Sequence, residues 1–252
     1  HAGTYLPDEI AERLTPPGRA VADTDWYADR LYPFAAELGA TVLRARWSRY
    51  VVDLNRDPSG ASLYPGARVT AMVPAETFEG EALYAPGDEP GHDEAAVRRA
   101  LCFDPYHDAV ADELARMKAA HGYALLLDAH SIRSPLPLLF DGELPDVNIG
   151  TNSGRSCDPA LSAAVAAAVA ASPYSHVVDG RFKGGYITRR YGNPAHAVHA
   201  IQLEINQRTY LADGSRTEWD DAKAARLSAV LRDACEALVS LGPSYAGSSG
   251  AI

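Results

Sequence analysis

The chain has 252 residues, 47% of them hydrophobic and 22% charged, and a formal net charge of −10. That is the composition of a globular α/β protein; the acid excess argues against a nucleic-acid partner, and no apolar run reaches the roughly 20 residues of a membrane helix. Cys102, Cys157 and Cys235 are far apart and form no CxxC pair, so neither a disulfide framework nor a thiolate metal site is expected, and a reducing cytoplasm is the simplest compartment.

In chain order, residues 23–38 read as a helix, capped by Asp23, Thr24 and Asp25 and ended by Gly39. Residues 40–46 and 50–54 are rich in β-formers. Residues 57–92 hold many prolines and glycines, with Tyr64, Phe78 and Tyr84 among them. A loop that long inside a compact domain marks a lid or a binding loop; Tyr64 and Tyr84 could cover a ligand there, although packing is the commoner role for each. Residues 93–120 are helical in pattern, with a break expected near Pro105. The run 123–127 is continuously apolar, as in a central strand. A helix at 158–171, strands near 176–178 and 200–205, and a long amphipathic helix at 218–241 complete the chain. This alternation predicts a single α/β domain over 1–252, with one mixed, mostly parallel sheet flanked by helices.

Four segments carry candidate chemistry. Asp128-Ala129-His130-Ser131 follows Leu125-Leu126-Leu127, and a polar cluster at the C-terminal end of a buried strand is where open α/β sheets build sites; a capped strand end with a hydrogen-bonded histidine fits equally well. In 200–206, alternation sets Gln202 and Glu204 on the face opposite Ile201, Leu203 and Ile205. A carboxylate in so apolar a strand is costly to bury unless paired or working, and a solvated edge strand is the alternative. Arg49 to Asp57 ends in Asn55-Arg56, a ready fork for a carboxylate, although Arg-Asp pairs commonly just tie loops together. His1-Ala2-Gly3-Thr4 places a histidine beside a turn glycine. Two histidines and several carboxylates near strand ends suit an N/O-ligated zinc site with one open position. For His107, His176, His196 and His199 a structural role is expected.

Taken together, His1-Ala2-Gly3-Thr4, Thr24-Asp25-Trp26, residues 48–56, residues 129–134, residues 180–189 and Gln202-Leu203-Glu204 resemble the N-formylglutamate deformylase family, in order, from His1 to about Leu241. That family ends one bacterial route of histidine degradation and is similar to zinc carboxypeptidases and aspartoacylases. The resemblance implies a zinc-carboxypeptidase-like fold and metal-dependent release of formate from N-formyl-L-glutamate. The cofactor would be zinc or another divalent cation, and the partner a small anionic substrate. By the same resemblance His130 is a metal ligand, Glu204 carries the proton, and Asn55 and Arg56 grip a substrate carboxylate. Arg133, Arg181, Lys183 and Arg189 are candidates for the second carboxylate and the oxyanion.

The chain departs from that pattern in three ways. Carboxypeptidases take two ligands from His-x-x-Glu, whereas Thr4 stands three residues after His1. Asp25 is therefore expected as the carboxylate ligand beside His1 and His130, with Asp23 and Asp53 as alternatives. Tyr27 replaces a histidine usual in the family, which would bear on tuning of the metal. The strand that the resemblance puts before His1 lies outside this numbering. Two other readings share these residues: a deacylase for a different N-acyl amino acid, and a non-catalytic binder of small anions.

Overall fold

A computed structural model describes residues 1–62 and 70–246. At its centre lies a four-stranded sheet in the order β1-β4-β2-β3, built from β1 (Ala124–Ile132), β2 (Val147–Gly150), β3 (His176–Val178) and β4 (Val198–Asn206). β1 runs parallel to β4 and β2 parallel to β3, while β2 and β4 are antiparallel. The protein is thus α/β, with a mixed and mostly parallel sheet.

Period-2 alternation in β4 sorts its side chains. Ile201, Leu203 and Ile205 enter the main apolar core, which also holds Leu161, Val165 and Val169 of α5 (Pro159–Ala170) and Leu227, Leu231 and Leu238 of α7 (Asp221–Leu241). The spacing of four in α5 lines one helical stripe against the sheet. Both helices start on acidic caps: Asp158 accepts from Ala160 N at 2.8 Å, and Asp220 from Lys223 N at 2.9 Å. Elsewhere, α4 (Asp104–His121) sets Val110 and Leu114 against Ala124 of β1. Two single-turn helices, α1 (Asp8–Ala11) and α2 (Pro16–Arg19), and a short α3 (His92–Arg98) surround a second apolar cluster that includes Tyr50, Val51, Val52 and Leu54. Among the described residues, no helix is long and apolar enough to cross a membrane.

Several expected elements take another form. Residues 23–38 are turns around one 3-10 segment, Ala28–Leu31. Pro33 removes a backbone donor inside the predicted helix, and Asp23 and Asp25 spend their carboxylates on distant partners instead of a cap. Among the described residues, 40–46 and 50–54 form no strand; an isolated bridge, Tyr5 to Trp47, lies between them. The expected break near Pro105 is a π-helical segment, Arg99–Phe103, that joins α3 to α4 without ending the helix. The run at 123–127 extends through the Asp128–Ile132 segment, so the polar cluster lies inside β1 rather than after it. β2 and the helix α6 (Tyr186–Tyr191) were not foreseen. On the long loop, Tyr84 is buried and bonded to Arg98, a packing role, and Tyr64 lies outside the described residues.

Leu203 is fully buried between the sheet and α7. Leu203→Ala should cost about 2–5 kcal/mol of stability by leaving a cavity. Urea denaturation reads this directly, and a loss well under 1 kcal/mol would show that the core can collapse around the gap.

Candidate active site

The register of β1 on β4 sets His130 opposite Glu204 and Asp128 opposite Gln202. All four side chains leave the same face of the sheet, near the C-terminal ends of two parallel strands, and three of them border a cavity of about 600 Å³. Other segments close in around it. Residues 48–56 bring Arg49, Asn55 and Arg56; residues 179–185 form a strap that carries Arg181 and Phe182; His1 completes the floor. The loop segments Asp57–Ala61 and Thr70–Val73 line the cavity too, so the long loop does border the site.

His1, Asp25 and His130 come together as a candidate metal site, their ligand atoms within 4.8 Å of one another. His1 Nδ1 and His130 Nδ1 are 3.4 Å apart, and Asp25 Oδ2 is 2.9 Å from His130 Nδ1. Bonds of about 2.0–2.1 Å at tetrahedral angles put ligand atoms roughly 3.4 Å apart, so the spacing fits a cation such as zinc. The far nitrogens face carboxylates: His1 Nε2 is 2.8 Å from Asp53 Oδ1, and His130 Nε2 is 2.8 Å from Asp128 Oδ1. Both contacts are bent from the hydrogen-bond line. For His1 this favours the tautomer that leaves the Nδ1 lone pair facing its neighbours, whereas His130 Nε2 also lies 3.0 Å from the Asn55 amide nitrogen.

The cluster is buried and its charges compensate. Arg49 Nη2 donates to Asp25 Oδ1 at 2.7 Å, while its Nη1 lies 3.6 Å from Asp53 Oδ2. Burial alone would raise the Asp25 carboxyl; the positive charge of the His1 amino group, then Arg49 and the His130 hydrogen bond, overcome it and hold Asp25 well below the usual carboxylate range. For His130, burial disfavours the charged form, but Asp128 and Asp25 push its pKa up to about 10. Without a cation, a proton therefore occupies His130 where a metal would bind.

A model of the N-formylglutamate amidohydrolase family matches residues 1–211. The chain belongs to that family. An N-formylglutamate deformylase of Pseudomonas aeruginosa is 50% identical to it, with 96% of this chain and 91% of the relative covered; one of Pseudomonas putida is 45% identical with the same coverage. Among solved structures, an N-formylglutamate amidohydrolase of Ralstonia eutropha JMP134 superposes with a TM-score of 0.78 at 24% identity, covering 98% of this chain and 91% of that one. A gene product of Agrobacterium tumefaciens superposes with a TM-score of 0.69 at 19% identity, covering 96% and 88%. These two likenesses speak to the fold.

Within this family member, His1, His130, Asn55, Arg56, Arg181 and Glu204 all border one cavity, with Asp25 buried beneath. The other carboxylates weighed as ligands are engaged elsewhere. Asp23 accepts from Tyr50 Oη, Phe78 N and Arg133 Nη1, and Asp53 stands behind His1. Arg133 binds Asp23, the Ala22 carbonyl and Glu79, away from the described lining. Lys183 is exposed, and Arg189 donates to the Gly184 carbonyl; neither is among the described lining residues. Arg56 donates to Thr70 and to its neighbour's carbonyl. Tyr27 packs against Trp219 and the Arg30 guanidinium, outside the lining. Sequence reasoning assigned no role to Arg49, Gln202 or Phe182, although all three lie in the segments singled out. For Arg49 the signal was present: an arginine directly before the apolar Tyr50-Val51-Val52, which drags it into the interior.

Because His130 holds a proton in the metal-free site, cation uptake must release it. Affinity for zinc should therefore fall as pH drops below about 10, by about tenfold per unit for each proton displaced. Titration calorimetry in buffers of different ionisation enthalpy counts that proton. His130→Ala should lose the metal and His176→Ala, on exposed β3, should retain it; equal metal content in both variants would sink the assignment.

Proposed function

We propose that the protein hydrolyses N-formyl-L-glutamate to formate and L-glutamate, with zinc or a similar divalent cation held by His1, Asp25 and His130. The observation that carries this reading is Glu204, a buried carboxylate set by strand register beside that ligand set and facing the cavity. The family match and the names of the two Pseudomonas relatives support the substrate. Cavity-lining Arg56 and Arg181 support an anionic one. The reading includes a single domain working in the cytoplasm, in keeping with three free cysteines.

Bound at that site, the cation would supply Lewis-acid polarisation of the formyl carbonyl and a lowered pKa for the attacking water. Glu204 manages the proton. Burial raises its carboxyl to about 7, assisted by Asp25 and Asp128 and opposed by His130 and Arg49. Near neutrality such a group both accepts and returns a proton, so it takes one from the water and delivers it to the departing glutamate nitrogen. Arg49 is the group best placed to meet the developing oxyanion: the residue is 7% exposed and lines the cavity, and its Nε has no partner among the described residues. Arg56, with Asn55 beside it, and Arg181 receive the two carboxylates of the substrate. The Arg189 side chain braces the strap that carries Arg181.

Glu204→Gln should keep its metal and fold while kcat drops by ~10²–10⁴-fold, the usual worth of a positioned acid–base group. Steady-state kinetics with metal analysis decide it, and near-normal kcat would make Glu204 structural.

Arg56→Lys should be almost as harmful as Arg56→Ala, because an ammonium cannot reproduce a planar fork. The informative comparison is N-formylglutamate against an N-formyl amine that lacks the α-carboxylate. The native enzyme should strongly prefer the first, and Arg56→Ala should erase much of that preference. Equal losses on both substrates would instead assign Arg56 to holding Thr70 and the loop.

A further inference from the structure

Gln202 precedes Glu204 by two residues on β4, so both side chains leave the same face, and Gln202 is 3% exposed. Both ends of its amide are engaged. Oε1 accepts the Gly185 N–H at 2.7 Å, and Nε2 donates to Glu204 Oε2 at 3.1 Å. A backbone N–H can only donate, so the first bond dictates which end of the amide is oxygen and turns the NH₂ group toward Glu204. Among the described residues, that donation is the one hydrogen bond the Glu204 carboxylate accepts.

The other end of this link is anchored in a strap with no slack. A Cβ at Gly185 would lie 2.3 Å from Asn55 Nδ2, and one at Gly150 would lie 2.5 Å from Gly184 N. Asp179 N donates to the Ile149 carbonyl at 2.7 Å, Asn152 N to the Lys183 carbonyl at 2.6 Å, and Ile187 N to Asn55 Oδ1 at 2.8 Å. The terminal torsion of a glutamate is broad and roughly two-fold, so an unanchored carboxylate samples many orientations. Here one of its oxygens is tied to a rigid backbone.

We propose that Gln202 is a positioning residue: it suspends the Glu204 carboxylate from Gly185, fixing its rotation so that Oε1 is the oxygen that faces the reacting water. The same strap carries Arg181 and Phe182, so one rigid element registers the proton carrier against the substrate-facing side chains. This rests on the reading of Glu204 as proton carrier.

The test is a double-mutant cycle on the metal-loaded enzyme with N-formylglutamate. Gln202→Leu should lower kcat by about 10²-fold with KM little changed, the scale on which small misplacements act. In a Glu204→Gln background the same substitution should cost almost nothing more, because a residue that acts through Glu204 has nothing left to position. Gln202→Met keeps the length of the side chain but has no N–H to donate; it should show the same kcat defect and is the variant to read if Gln202→Leu does not fold. Unchanged kcat, a change confined to KM, or a full additive loss in the Glu204→Gln background would each overturn the proposal. Near-normal kcat in Glu204→Gln alone would instead remove the proton-carrier reading beneath it.

Discussion

Parallel pairing of β1 with β4 places His130 and Glu204 side by side, and the rest of the site is arranged around that pair. Strand side chains alternate between faces, so a slip of one residue would send His130 or Glu204 into the apolar layer beneath α5 and α7. The register is protected by that layer: Ile201, Leu203 and Ile205 are all almost completely buried, and any slip would expose them. The hydrophobic face of β4 therefore determines where its polar face points. The chemistry of one side is held in place by the packing of the other.

A second constraint is charge. Asp25, Asp53, Asp128 and Glu204 all lie near the cavity floor, and so many carboxylates in one dry place would repel each other and resist ionisation. Arg49 between Asp25 and Asp53, and the protonated His130 between Asp25 and Asp128, reduce that repulsion. Glu204 is the exception. His130 and Arg49 pull its carboxyl down, but burial, with the Asp25 and Asp128 charges nearby, outweighs them and drives it up to about 7. Compensation prevails at Asp25 and Asp53 and burial prevails at Glu204, the contrast expected where fixed charges stand beside a group suited to exchange a proton.

Much of this was legible in the sequence, because much of it is local. Alternation in 200–206 showed which face of β4 carries Gln202 and Glu204, and the apolar run before Asp128 located β1, which lies at the edge of the described sheet rather than at its centre as expected. The helix expected at 23–38 failed since its would-be caps, Asp23 and Asp25, are claimed by Arg133, Tyr50 and Arg49 from elsewhere in the chain. β2 is four residues long, too short to carry a period, and is held by strands on both sides. The family resemblance narrowed the expected ligand carboxylate to three aspartates. Only tertiary geometry separates them, sending Asp23 to a loop, Asp53 to the back of His1 and Asp25 to the centre.

The His1–His130 contact has a further consequence. It joins residues 129 positions apart, and Glu204 lies further along still. Closing a loop of that length costs entropy that local structure does not return, so the contact belongs among the late events of folding, after β1 has found β4. A ligand that needs both histidines finds no partial site on a nascent or half-unfolded chain. Its whole binding free energy is thus added to the stability of the completed fold, and depletion of the ligand would be felt throughout the molecule as a lowered barrier to unfolding or a lowered melting temperature.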